Sequence, residues 1–421
     1  MKMVSKIKTS LIVAGGITLS AFSSVSLAQE PPVLCAGYER PKTQLLGERV
    51  GKKLNAAFEA YNEDRVTEAI AMLREIEAKE EFDQASVDKF LGQLLASQDG
   101  KSQESLTFLA RSVEKKILND GDYASITKAV GDLSLNEEKY EDALKYYQRW
   151  MDFTCKEDAN VYLRMAKAHL DLKQYDKVIG PADNAIRTFD KPNKNAYALK
   201  VSAFYESKKI PEAIDVVETV VQLFPDDKTW WNRLGMFYLL EERYDDALSV
   251  FELSYKQGFL TTKSQINTLA QLYSSQDVPF KAAEIQAKYV KSGLLDSDEK
   301  TLANVAALYA RSKNFKQAAD FYGRAAKIEN NPEYLSKKGE MLLTAEDYKG
   351  AITALEAALA QNVEKEGRVS YSLMEAYFYT GDFRKAFEYN QKAKSDRTIR
   401  RNALAWEPYI KEKAKNRGIR I

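Results

Sequence analysis

The stretch Trp231-Asn232-Arg233-Leu234-Gly235-Met236-Phe237-Tyr238, followed by Tyr244, Ala247, Leu248 and Phe251, decides the fold. Trp231, Leu234 and Tyr238 stand three and four residues apart, the interval that brings side chains onto one face of a helix. Tyr244, Ala247, Leu248 and Phe251 repeat that interval and predict a second helix. Gly235 lets the two approach closely, and Pro225 ends the segment before them. A lone helix hairpin cannot bury its own apolar face, so the reading requires further copies.

The copies are present. Taking Ala247 as the small residue where the second helix crosses the first, equivalent places hold Ala69, Ser105, Ala143, Val178, Ala213, Ala283, Ala318, Ala351 and Ala386, at spacings of 33 to 38 residues. Three positions earlier an apolar residue recurs as Val66, Tyr140, Tyr175, Ile210, Tyr244, Phe280, Phe315, Tyr348 and Phe383, with Ser102 as the polar exception. These rings are read as core packing, because stacked hairpins need a filler at each interface. The order Trp, Leu-Gly, Tyr, then Ala and Phe resembles the tetratricopeptide repeat, which implies an all-α, right-handed α-solenoid of about ten helix hairpins with a C-terminal capping helix. The first two copies depart most, with Gly92 and Gln93 in place of the Leu-Gly pair and Ser105 at the crossing.

The ends read differently from the array. Residues 1–28 carry Lys2, Lys6 and Lys8, an apolar run broken by Ser, Thr and Gly, and Ser26-Leu27-Ala28, the pattern of a cleavable secretory signal. Residues 29–42 are a flexible, extended lead-in with Pro31, Pro32 and Pro41; residues 43–396 are the repeats, read as one array without an internal linker; residues 397–421 are a basic capping helix and tail. Thr398 to Lys415 is expected to cover the last hairpin with Arg401, Leu404, Ala405, Trp406, Tyr409 and Ile410. The tail has eight Lys or Arg against Glu407 and Glu412, a net of +6. Without the three lysines of the signal the chain's +1 becomes −2, so residues 29–396 carry −8. Nothing in this balance suggests nucleic acid, and any membrane contact is peripheral, through the basic end. An exported chain with two cysteines is expected to join Cys35 to Cys155.

No catalytic constellation is found. The one histidine, His169, falls where Tyr238 stands in the reference hairpin and is read as packing. Two cysteines 120 positions apart do not make a metal site. There is no Gly-rich phosphate loop, no nucleophile elbow and no Cys–His pair, so neither enzyme activity nor a cofactor is expected. Function is therefore assigned to surface. First-helix positions not spent on packing face a groove, and its centre reads Ser202, Asn232, Met236, Leu239, Asn267 and Gln271. This small, amide-bearing lining suits an extended peptide or a docked helix.

Beyond the generic repeat, the runs Trp230 to Tyr238, Tyr255 to Thr261, Leu269 to Tyr273 and Pro279 to Ala283 resemble the periplasmic tetratricopeptide proteins encoded beside TonB energy-transduction genes in gammaproteobacteria. The resemblance covers roughly Tyr140 to the C-terminus. It implies a periplasmic accessory of TonB-dependent outer-membrane transport, with the periplasmic part of the TonB complex as partner. The alternative is an assembly factor for outer-membrane or peptidoglycan machinery.

Overall fold

The computed structural model describes residues 31–421, so the expected signal peptide lies outside the described residues. Among them are 21 helices and no strand. They fall into two compact units, divided between Gln174 and Tyr175, where the sequence reads as a single array.

The first unit pairs α1 (Glu48–Asn62) with α2 (Val66–Arg74), α3 (Glu81–Ala96) with α4 (Ser102–Ser112) and α5 (Asp120–Asn136) with α6 (Tyr140–Thr154), and ends with α7 (Ala159–Asp171). The second opens with α8 (Tyr175–Thr188), which packs on α9 (Lys194–Glu206). Hairpins follow: α9 with α10 (Ile210–Leu223), α11 (Lys228–Leu240) with α12 (Tyr244–Lys256), and α13 (Lys263–Ser275) with α14 (Pro279–Ser292). Then come α15 (Glu299–Arg311) with α16 (Phe315–Glu329), α17 (Pro332–Thr344) with α18 (Tyr348–Ala360), and α19 (Glu366–Thr380) with α20 (Phe383–Ala393). Finally α21 (Arg400–Asn416) packs on α20. Within each unit the hairpins lay their apolar faces on one another, which makes the architecture an α-solenoid.

The register explains why these segments are hairpins. All ten crossing residues, from Ala69 to Ala386, are 0% exposed. Only a small side chain fits where two helix backbones nearly touch. On the facing helix a glycine repeatedly meets the large residue four positions past the crossing. A Cβ on Gly235 would lie 2.7 Å from Phe251, one on Gly131 2.8 Å from Tyr147, and one on Gly92 2.6 Å from Leu109. The second hairpin thus has its Leu-Gly pair after all, as Leu91-Gly92, one position earlier than Gly92-Gln93 suggests. The turns are equally regular. Asp64, Glu138, Lys173, Lys208, Glu242, Asp277, Lys313 and Glu346 take left-handed backbone, as does Gly381. The next residue's N–H then bonds the carbonyl five residues back, as in Arg243 to Tyr238 at 2.8 Å, which closes the helix end.

The first helices α7, α9, α11, α13, α15 and α17 each start on a side-chain cap: Asp158, Asn193, Asp227, Thr262, Asp298 and Asn331 accept from backbone N–H groups of the first turn, whereas α19 has none. A lysine of the preceding hairpin often ties this region down. Lys194 bonds Asp227 at 2.6 Å, Lys128 bonds Asp158, and Lys263 bonds Asp296 at 2.7 Å. The Lys194 ammonium holds the Asp227 carboxyl below its ordinary range.

Four expectations need correction. The residues three before the crossing begin the second helices, but Tyr244 (46% exposed) and Phe280 (39%) are open to solvent; at a hairpin turn only one side of the ring finds neighbours. Trp230, not Trp231, fills the core; Trp231 is half-buried and its indole N–H donates to the Pro225 carbonyl at 2.7 Å. The lead-in is not loose: Cys35 is bonded to Cys155, the Leu34 N–H donates to the Thr154 carbonyl at 2.8 Å, and Tyr38 sits edge-on to Phe153 with its hydroxyl 2.8 Å from Asp120. Burial, with Asp120 beside it, pushes the Tyr38 phenol up to about 12. Finally, α21 covers its neighbour with Ala403, Ile410 and Ala414, while Arg401, Leu404, Ala405 and Tyr409 point outward and Trp406 lies half-buried against Phe378. Two alanines on the covering stripe let α21 come close to the hairpin, which the bulkier stripe would prevent.

Candidate binding cleft

The expected groove residues lie on three first helices of the second unit, and the structure treats them unequally. On α11, the Asn232 carbonyl oxygen accepts from Gln265 Nε2 at 3.1 Å, so this amide ties α11 to α13. Met236 is 44% exposed on the same helix, Leu239 is half-buried against the core, and Ser202 is half-buried on α9. Asn267 and Gln271, one turn apart on α13, do come together: both line a cleft of about 730 Å³ bounded by α13, α14 and α15.

The cleft is built around a buried glutamine. Gln286 on α14 is 7% exposed, donates to Asn267 Oδ1 at 3.2 Å and accepts from Asn304 Nδ2 at 2.8 Å. Three amides on three helices thus form one chain of hydrogen bonds. As the amides are oriented, the Asn267 amide nitrogen and the Asn304 carbonyl oxygen have no partner among the described residues. A paired donor and acceptor remain for a ligand. The rim charges are largely spent, since Lys263 bonds both oxygens of Asp296 at 2.7 Å and Arg311 bonds the Ser274 hydroxyl at 2.7 Å with Asp277 3.7 Å away. Leu295, Leu308 and Ala270 add an apolar floor. A lining of neutral amides and apolar carbon matches a peptide backbone better than a phosphate.

Gln286 and Asn304 were not among the expected residues, although the signal for Gln286 was present. Three positions past the crossing the other hairpins carry Met72, Phe108, Tyr146, Pro181, Val216, Val250, Phe321, Ala354 and Tyr389, and Gln286 alone is polar. The sequence reading assigns the groove to first helices alone, and Gln286 stands on a second helix. His169 is half-buried with Nδ1 2.9 Å from Gln174 Oε1, and it joins nothing in the cleft. The phenols of Tyr238 and Tyr273 are pushed up by burial and by Glu218 and Glu252 beside them, so they stay neutral core groups.

Residues 198–258 and 337–400 match the tetratricopeptide repeat, and these stretches carry such repeats. Over 282 residues, 67% of its length, it is 22% identical to a TPR repeat-containing protein of Methanocaldococcus jannaschii, of which it spans 39%. Among solved structures it is similar to the C-terminal part of a TPR repeat-containing protein from Cytophaga hutchinsonii, at 15% identity over 56% of this chain and 95% of that one, with a TM-score of 0.35. It is also similar to the TPR2AB domain of yeast Sti1 in its pHSP90 complex, at 15% identity over 61% and 99%, with a TM-score of 0.35.

Proposed function

We propose that this tetratricopeptide-repeat chain is a non-enzymatic protein-binding scaffold that works in the periplasm as an accessory of TonB-dependent outer-membrane transport, holding an extended segment of its partner in the α13–α15 cleft. The observation that carries the binding mode is the Asn267–Gln286–Asn304 relay, which leaves one amide donor and one amide acceptor in a cleft with an apolar floor. A peptide unit presents a carbonyl and an N–H, the complement of that pair. The Cys35–Cys155 bond supports an oxidising compartment, and the runs around Trp231 and Leu269 support the TonB association by resemblance.

The test is co-purification after crosslinking in the periplasm, comparing the natural chain with Asn267→Ala/Gln271→Ala. The natural chain recovers a component of the TonB complex, and the double variant weakens that association by about 1–3 kcal/mol, as expected when interface amides lose their partners. Recovery of peptidoglycan or outer-membrane assembly factors instead would favour the envelope-assembly reading. Full recovery with the double variant would remove the cleft from the account.

A further inference from the structure

The charge of the chain is distributed unevenly: residues 29–396 carry −8, and the 25 residues from Arg397 to Ile421 carry +6. Helix α21 sets how that excess is displayed. Burial of Ala403, Ile410 and Ala414 turns Arg400, Arg401, Leu404, Pro408, Lys411 and Lys415 toward solvent. At 100° per residue these six occupy about 100° of the helix circumference and about 22 Å of its length. Leu404, 51% exposed, stands among the four cations, and Tyr409, 60% exposed, lies beyond them on the same outer side.

Three of these four cations, Arg400, Arg401 and Lys415, make no ion pair among the described residues. Of the eight Lys and Arg from Arg397 onward, only Lys411 makes an ion pair among the described residues, to Glu407 at 2.7 Å, and Glu407 is shared with Lys394 at 2.5 Å. In the body, by contrast, Lys194, Lys200, Lys209 and Lys263 each bond a carboxylate within 2.8 Å.

We infer that the outer face of α21 docks peripherally on an anionic phospholipid surface. Long, flexible cations arranged along one helix face suit a plane of lipid phosphates, which offers charge without fixed positions. The exposed Leu404 and Tyr409 supply apolar and amphipathic groups that enter the headgroup layer beside them. The acidic body is repelled by the same surface, so only this end approaches it.

The test uses the chain from residue 29 onward and sedimentation with vesicles of phosphatidylcholine alone or containing phosphatidylglycerol. The chain binds the anionic vesicles, ignores the neutral ones, and is released as ionic strength rises. Arg400→Ala/Arg401→Ala/Lys415→Ala weakens anionic-vesicle binding on the order of a hundredfold, at about fivefold per cation. Leu404→Ser weakens binding without changing its salt dependence. All these side chains are exposed, so an unchanged melting curve shows that folding is not the cause. No binding to anionic vesicles at low ionic strength, or full binding by the triple variant, overturns the inference. So does a chain that ignores vesicles but binds poly-glutamate, which assigns the face to an acidic protein, or one that sediments without vesicles by pairing with itself.

Discussion

Glu242 sits at φ 55° in the turn between α11 and α12, where a side chain crowds its own carbonyl. Glycine relieves that crowding but has more freedom to lose on folding. The balance predicts that Glu242→Gly raises stability by up to about 1 kcal/mol, read as a higher denaturant midpoint; a lower midpoint would show that the Glu side chain itself supports the turn. Asn232→Ala removes the bond to Gln265 and is expected to cost about 0.5–1.5 kcal/mol of stability with little effect on partner affinity. Asn267→Ala leaves the buried Gln286 amide nitrogen without its acceptor and is expected to cost about 1–3 kcal/mol of stability besides losing affinity. Single residues were also where sequence reasoning reached its limit. Trp230 and Trp231 are 100° apart on the helix, and which of them enters the core depends on how α11 is rotated against its neighbours. The sequence period does not contain that rotation.

At the scale of elements, the crossing positions were legible because a backbone-to-backbone approach admits few side chains. All ten were located from the chain alone, and all ten are buried. The covering face of α21 was not legible, since its stripe of Ala403, Ile410 and Ala414 is short and interrupted by Glu407. This stripe ranks two substitutions. Ile410 is 0% exposed, so Ile410→Ala should cost about 2–5 kcal/mol, whereas the half-buried Trp406→Ala should cost less than the about 3–5 kcal/mol of a fully buried aromatic. Hydrogen exchange should rise first in α20 and α21 for both; a uniform rise along the chain would contradict a local capping role. Glu407 adds a pH dependence. Lys394 and Lys411 lower its carboxyl to about 2, so its contribution is present above the unfolded carboxylate value of about 4.3 and is lost as pH falls toward 2. Protection of α21 should fade in that window, and Glu407→Gln should remove the dependence.

At the scale of the whole molecule, length and repeat gave the solenoid, while the division at Gln174 was not visible, because the 33 to 38 residue spacing runs through it without a break. The anchoring of the lead-in is hidden for a related reason. Proline-rich segments read as extended, and their tertiary anchors, Val33, Cys35 and Tyr38, follow no period. Those anchors predict that Cys35→Ser/Cys155→Ser lowers the stability of the first unit by about 2–5 kcal/mol and leaves the second unit's melting unchanged. Segment-resolved hydrogen exchange would read the two separately, and equal losses in both units would contradict the assignment.

The proposed function puts the partner's contact in the α13–α15 cleft. A photocrosslinking residue placed at Gln271, and in parallel at Glu241 on the exposed turn after α11, tests this most directly in living cells. A specific adduct with a TonB-complex protein is expected from position 271 and none from position 241. Equal adducts from both positions, or none from 271 while the partner still co-purifies, would contradict it.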